Sequence, residues 1–348
     1  MSSLLSPERL KSLVECFSDC RIAVVGDFFL DKYLDIDPCL EEPSVETGKP
    51  ARQVASVRCF PGAAGTVVSN LSALGAGTLH AAGFTGDDGE AWELRRGLTA
   101  MRCSTEHLHV VPERFTPTYT KPRNMSVSGL DGEYSRIDIK NRQTTPTETE
   151  HAIIASITDL VSEVDAVIVM DQVEARNCGA VTAMVREHLG TLAENNPDVI
   201  FWADSRRRIR EYRNVITKPN EFELTGNDDP VPGDTVDAAE LQSAAAQLRT
   251  KTGAPVFVTC GANGMFVTDP QWTAVPGIRL TGEIDTTGAG DSVTAGCVLA
   301  LCSGASCEQA AVVGNLVASV TVRQLATTGT ACSSQLGLCL QTWLEQVG

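Results

Sequence analysis

Aromatic residues make up only 5% of this 348-residue chain, and it has just five histidines. So few rings leave little material for a stacked nucleobase pocket. Cys103, His107 and His109 lie close in sequence, but no set of four metal ligands accompanies them. Positive charge is also scarce: 28 Lys and Arg stand against 44 Asp and Glu, a net charge of −16. Such a surface repels nucleic acid and anionic membrane, although a basic pocket inside an acidic shell still admits a small anion. The longest apolar runs, Ala166–Met170 and Cys297–Cys302, fall far short of the ~20 residues a spanning helix needs. The first twenty residues carry early charges and do not read as a secretory signal. No C-x-x-C pair occurs among twelve cysteines, several of which (Cys260, Cys297, Cys302) sit in apolar runs as small hydrophobes. The expected compartment is reducing and cytoplasmic. No Walker A motif is present, which excludes a P-loop NTPase.

What the chain has is the composition of a globular protein, 43% hydrophobic and 21% charged, without internal repeats. Short apolar runs read as strands over 21–26, 78–84, 166–170, 199–203, 215–217, 256–259 and 265–268. Helical spacing covers 62–75, 88–101, 148–161, 178–189, 237–250, 288–302, 307–324 and the C-terminal stretch. Alternation of the two predicts an α/β fold: a doubly wound, mostly parallel sheet with helices on both faces. Residues 34–60 and 107–140 break the rhythm with short alternating pieces. They read as antiparallel strands of a small β-sheet lid over a core of residues 1–33, 61–106 and 141–348, with a ligand between them.

The strongest local signal is Asp285-Thr286-Thr287-Gly288-Ala289-Gly290-Asp291, leading into a helix. Small residues let the backbone approach a ligand, and a helix start offers free N–H groups to a phosphoryl group. An acid at that point, Asp291, is costly unless it takes a proton from an attacking hydroxyl. Asn220 and Glu223, in KPNEFE, read alone as a capped helix start, yet their oxygens suit hydrated Mg²⁺. Val258–Gly264 (VTCGANG) reads as a turn between strands. Asp27 closes the first strand, where a carboxylate can accept two sugar hydroxyls.

These strings resemble the signatures of the PfkB, or ribokinase-like, carbohydrate kinase family, over roughly Arg21 to Thr330. The resemblance implies a ribokinase-like fold and an ATP-dependent phosphotransfer. By it, Asp291 is the base and Gly288, Ala289 and Gly290 form the anion hole. Asn220 and Glu223 hold Mg²⁺ through water, and Asp285 and Thr287 lie where some members bind a monovalent cation such as K⁺. Thr259, Gly261 and Gly264 lie against the nucleotide, with Asn315 near adenine. Asp27 is the substrate carboxylate, with Asp31, Gly62, Ala63, Thr66, Asn70 and Arg136 around the sugar. The chain has Ala63 and Thr66 where the family usually has Gly and Asn.

The wording GDFFLDKY, PSVETGKPARQV, CFPGAAG and YSRID looks like the kinase domain of bifunctional heptose-phosphate kinase/ADP-heptose synthases, without their nucleotidyltransferase half. That likeness implies a sugar-phosphate acceptor, with Arg52, Lys121, Arg123 and Arg136 as candidate cations. Arg206-Arg207-Arg208 read first as a solvated helix start. The alternatives are a nucleoside kinase and a non-catalytic sugar-binding regulator. Lid edges imply pairing in a homodimer.

Overall fold

The run Arg21–Gly26 is apolar at every interior position, and it becomes the central strand of a sheet buried on both faces. The computed structural model describes residues 4–347 except 228, 232 and 270. In chain order its strands are β1 (Arg21–Gly26), β2 (Phe28–Pro43), β3 (Pro50–Ala63), β4 (Thr78–Thr85), β5 (Cys103–Ser104), β6 (Leu108–Val110), β7 (Thr118–Asn124) and β8 (Ile137–Ile139). Then follow β9 (Ala166–Asp171), β10 (Ile200–Ser205), β11 (Ile216–Thr217), β12 (Phe257–Thr259), β13 (Met265–Val267) and β14 (Thr273–Val275). The helices are α1 (Pro7–Glu15), α2 (Ala64–Leu74), α3 (Gly89–Ala100), α4 (Thr147–Leu160), α5 (Ala183–Asn195), α6 (Glu221–Thr225), α7 (Ala238–Thr252), α8 (Ala289–Cys302), α9 (Cys307–Thr321) and α10 (Ser333–Val347).

The main sheet runs β11-β10-β9-β1-β4-β5, all parallel, with β6 also on β4. Alternation along β1 divides the core. Ile22 and Val24 pack with α1, α2, α3, α8, α9 and α10 on one face, while Ala23 and Val25 pack with α4 and α5 on the other. The chain leaves β1 toward both sides of the sheet, and such a switch point opens a crevice at the strands' carboxyl ends.

Three expectations change. The segment 256–259 adjoins the parallel sheet only through isolated parallel bridges, and 265–268 runs antiparallel to that segment. With β14 they form an antiparallel meander, joined to the main sheet by isolated bridges at Thr217–Val256 and Asn220–Thr259. A link as short as the five residues 260–264 permits only antiparallel neighbours. The lid sheet, in the order β3-β2-β7-β8, is mixed: β2 pairs antiparallel with β3 but parallel with β7. The chain crosses the core through α3, β5 and β6 before β7, and a crossover of that length returns it beside β2 in the same direction. The lid strands also begin deeper than residues 34–60, at Phe28, and return to Ala63, while Leu108–Val110 pairs with β4 of the main sheet. Finally, the helix expected from Cys178 starts at Ala183, where Thr182 caps it by accepting from Val185 N.

Candidate active site

A cleft of about 1010 Å³ lies between the carboxyl ends of the main sheet and the lid. At its centre stands the first turn of α8. Gly288 has φ +75°, a left-handed conformation that glycine adopts without strain. The starts of α1, α3, α5, α7 and α9 are each capped by a side chain, but none caps α8. Its first-turn N–H groups are therefore left for an anion. Asp291 projects from that turn into the cleft. Burial first, and the Asp204 carboxylate second, push its pKa up to about 7, against the pull of Lys218 and Arg206. A carboxylate poised near neutrality suits proton abstraction.

Beside this turn lies a charge cluster that the sequence reading missed. Asp204 is the next-to-last residue of β10 and Lys218 follows β11. Their side chains meet at 2.8 Å, and both residues are buried yet line the cleft. A methyl group on Gly290 would lie 3.4 Å from Lys218 Nζ, so the ammonium touches the α8 start. The signal was the lysine in KPNEFE, directly after a short strand.

Asn220 and Glu223 form a capping box: Asn220 Oδ1 accepts from the backbone N–H groups of Phe222 and Glu223, and Glu223 Oε2 accepts from Asn220 N. The Asn220 oxygen is thus spent on the helix start, and Glu223 keeps one carboxylate oxygen. Its pKa is raised, by burial and then by Asp204. Among the described residues no three metal-ligating side chains form a cage. Glu223, Asp204 and Asp291 do line the same cleft, and hard carboxylate oxygens of this kind suit a hydrated Mg²⁺ that keeps several of its waters.

At the lid end, Asp31 and Lys121 pair at 3.4 Å, with Lys121 also donating to Tyr33 Oη at 3.2 Å and Thr328 donating to Asp31 at 3.5 Å. Burial raises the Asp31 pKa, and Lys121 opposes it. Arg136 stacks over Tyr119 at 4.1 Å and donates to Asp138. Ala63, Thr66, Lys121, Arg136 and Lys140 line this end. Ala63 takes φ +52°, a strained conformation for a residue with a Cβ, where β3 leaves the lid for α2. At the opposite end Thr259, Gly261, Gly264 and Asn315 line the cleft. The Asn315 amide N–H groups are held by the carbonyls of Val275 and Pro276.

Several expected site residues face elsewhere. Asp27 does not line the cleft. Its carboxylate accepts from the N–H groups of Gln172 (2.8 Å), Val173 (2.9 Å) and Ala180 (2.7 Å), tying down the loop after β9. Asp31, one strand further on, is the carboxylate that reaches the cleft. Asn70 is buried behind α2, donating to the carbonyls of Thr66 and Gly329. Gly62 backs the Asp31 carboxyl, 3.1 Å from where its Cβ would lie. Asp285 accepts from the N–H groups of Thr287 and Ala326, so its carboxylate is committed to loop geometry, while Thr287 lines the cleft. Arg52 stacks on Tyr134, and Arg123 bonds the carbonyls of Val127 and Gly129 beside Asp35. Arg208 is no solvated arginine: it is buried on Asp171. Arg206 and Arg207 line the cleft.

A sequence profile described as the pfkB family of carbohydrate kinases matches residues 21–333. The chain is 30% identical over 335 residues to the bifunctional protein HldE of Desulfatibacillum aliphaticivorans, covering 94% of this chain and 64% of that protein. It is 31% identical over 313 residues to HldE of Azorhizobium caulinodans, covering 88% and 61%. The chain therefore spans less than two thirds of the length of these relatives. Among solved structures, phosphofructokinase-2 of Escherichia coli superposes with a TM-score of 0.68 at 16% identity, covering 94% of this chain and 100% of that one. Ribokinase of Thermotoga maritima gives 0.65 at 18% identity, covering 92% and 99%. These two likenesses show the ribokinase-like fold.

Proposed function

The chain belongs to the pfkB family of carbohydrate kinases and is an ATP-dependent carbohydrate kinase, and from that premise we propose that its acceptor is a sugar phosphate, of the heptose phosphate kind, held under the lid. One observation carries this reading. In a chain of net charge −16, the lid end of the cleft is lined by Lys121, Arg136 and Lys140. Asp31 pairs with Lys121, and Asp138 pairs with both Arg136 and Lys140, so three cations face two carboxylates; the positive charge left over matches an acceptor that brings its own negative charge. The 30% likeness to the HldE proteins is in keeping with it.

In the proposed mechanism the acceptor hydroxyl lies between Asp31 and Asp291. Asp31 accepts a sugar hydroxyl, and Asp291 takes the proton of the attacking one. The nucleotide runs from Gly288–Gly290 toward Thr259, Gly261, Gly264 and Asn315. The N–H groups at the α8 start meet the transferring phosphoryl oxygens as charge spreads over them. Mg²⁺, held through water by Glu223 with Asp204 nearby, would neutralise phosphate charge. A monovalent cation near Thr287 would rest on backbone oxygens, since the Asp285 carboxylate serves Thr287 and Ala326; equal rates in K⁺ and Na⁺ remove that feature. The lid's outer Leu40, Val54, Val57 and Ile137 are exposed. Pairing of two lids in a homodimer belongs to the same reading, and a sedimentation mass of 37.1 kDa rather than its double removes it. Its use of ATP and its free thiols suit the cytoplasm.

The test is ADP release with Mg-ATP across neutral sugars and sugar phosphates. Turnover confined to sugar phosphates, weakened when Arg136 or Lys140 becomes Met, supports the reading. Efficient turnover of a neutral sugar overturns the acceptor assignment.

A further inference from the structure

We propose that Tyr33 is a positioning residue of the acceptor site: its phenol oxygen aims the Lys121 ammonium into the cleft and holds it back from Asp31. The proposal rests on the reading of the lid end as the acceptor site, and not on the acceptor's charge. β2 and β7 run parallel with Tyr33 beside Lys121, and Asp31 lies two residues before Tyr33 on the same face of β2. All three are buried, but Asp31 and Lys121 line the cleft and Tyr33 does not. The Tyr33 ring is fixed from two other sides. Arg58, itself bound to Asp35, stacks on it at 4.8 Å, and Phe60 meets it edge-on at 5.8 Å. A phenylalanine would fill that packing equally well. The hydroxyl is what packing leaves unexplained, since a buried hydroxyl is costly unless it is hydrogen-bonded. Its partner is Lys121 Nζ, at 3.2 Å.

The hydroxyl divides the ammonium between two partners. A lysine held by a carboxylate alone closes to about 2.7–2.9 Å, whereas Lys121 stands 3.4 Å from Asp31. Of the three N–H groups of an ammonium, one goes to Asp31, one goes to Tyr33 and one is left for the cleft. Asp31 in turn keeps carboxylate oxygen for a sugar hydroxyl. A phenol does this without cancelling the charge it aims. Burial raises the Tyr33 pKa, so the phenol stays neutral. Burial works against the Lys121 charge, but Asp31 and then Tyr33 outweigh it and raise the lysine pKa. A carboxylate in place of Tyr33 would neutralise Lys121, and a phenylalanine would release it onto Asp31. The flexible lysine stem would then have to be ordered by the acceptor, at the expense of affinity.

The experiment is steady-state kinetics of the full chain with Mg-ATP, on Y33F, K121M and the Y33F/K121M double variant. The acceptor is whichever neutral sugar or sugar phosphate the wild type turns over best. Y33F is expected to raise acceptor KM about 5- to 30-fold with kcat and ATP KM within about threefold, because the lost interaction is made alike in ground and transition states. K121M should raise acceptor KM by at least as much. The decisive readout is the pair: on the K121M background Y33F should change acceptor KM less than about twofold, since no ammonium is left to aim. A merely structural hydroxyl would give the same loss on both backgrounds. If K121M fails to fold because Asp31 is left unpaired, K121Q, which keeps a donor for Asp31 but no charge, carries the same cycle. Full additivity, or an unchanged acceptor KM in Y33F, overturns the proposal. K121M without effect removes the lid end as the acceptor site, and the proposal with it. A neutral sugar as the best acceptor overturns only the sugar-phosphate reading, because an ammonium donates to a hydroxyl as well as to a phosphate.

Discussion

Asp27 and Asp31 are four residues apart, both buried, and both looked like sugar ligands, yet only Asp31 lines the cleft. Asp27 receives three backbone N–H bonds from residues 172–180, and no local pattern announces that a loop some 145 residues later folds back onto it. Burial, with Asp171 nearby, pushes its pKa up to about 6 even against those bonds. D27N keeps the shape but turns acceptors into a donor, so a denaturant titration should show a loss of about 2–4 kcal/mol. The folded fraction should retain its acceptor KM. D31N should do the reverse, cutting kcat/KM for the acceptor by at least about 100-fold while ATP affinity stays within a few-fold. Equal catalytic losses in the two variants would show that Asp27 reaches the substrate after all. At this scale the sequence reading was strongest where residues act together locally: Gly288–Asp291 stands at a helix start in the cleft, and Thr259, Gly261 and Gly264 line it. It was weakest where a side chain's partner lies far along the chain, as for Lys218 with Asp204 or Asp285 with Ala326.

Elements were legible when their period was clean. The parallel strands β1, β4, β9 and β10 are continuous apolar runs, and α8 and α9 follow the expected spacing. Strand direction was not legible, because β7 and β12 carry no mark of the neighbour they join. Nor was the closeness of α8 to α9. A methyl group on Gly314 would lie 2.5 Å from Cys297 Sγ and 3.2 Å from Met265 Cε, and one on Gly296 would lie 3.2 Å from Gly314 Cα. The helices cross where neither has a side chain. This approach seats Asn315, the next residue, against the Val275 and Pro276 carbonyls, at the end of the cleft proposed for the nucleotide. G314A would normally favour a helix, but here the added carbon must push the helices apart, and overpacking should cost about 1–3 kcal/mol. The displacement reaches Asn315, so ATP KM should rise together with the loss in melting temperature while acceptor KM holds. A stabilised G314A would mean that the helices have room to spare.

Across the whole molecule, the demands of the site and of the fold oppose each other through pH. As the proposed base, Asp291 must be ionised to take a proton, so kcat should climb through about pH 7 and then level off. The same raised pKa works against stability. Between the ordinary carboxylate value and about 7, the folded chain holds a proton there that the unfolded chain has released, so stability falls as pH rises through that window. Asp27 and Asp31, also raised, act in the same direction. Asp35, Asp138 and Asp165 are lowered by their arginine partners, and their contribution is lost only below the ordinary carboxylate range, outside this window. His80, His109 and His188 are lowered by burial and pull the other way up to about pH 6.5. A wild-type melting curve therefore mixes both signs, and the informative quantity is a difference. D291N removes one titrating group and leaves the histidines in place. Its stability relative to wild type, without nucleotide or Mg²⁺, should grow from pH 5 to pH 8 by on the order of 1–3 kcal/mol. The variant should bind ATP and not turn over. A difference that stays flat across that range would show that Asp291 titrates at an ordinary value, and the rise in kcat through pH 7 would then need another group.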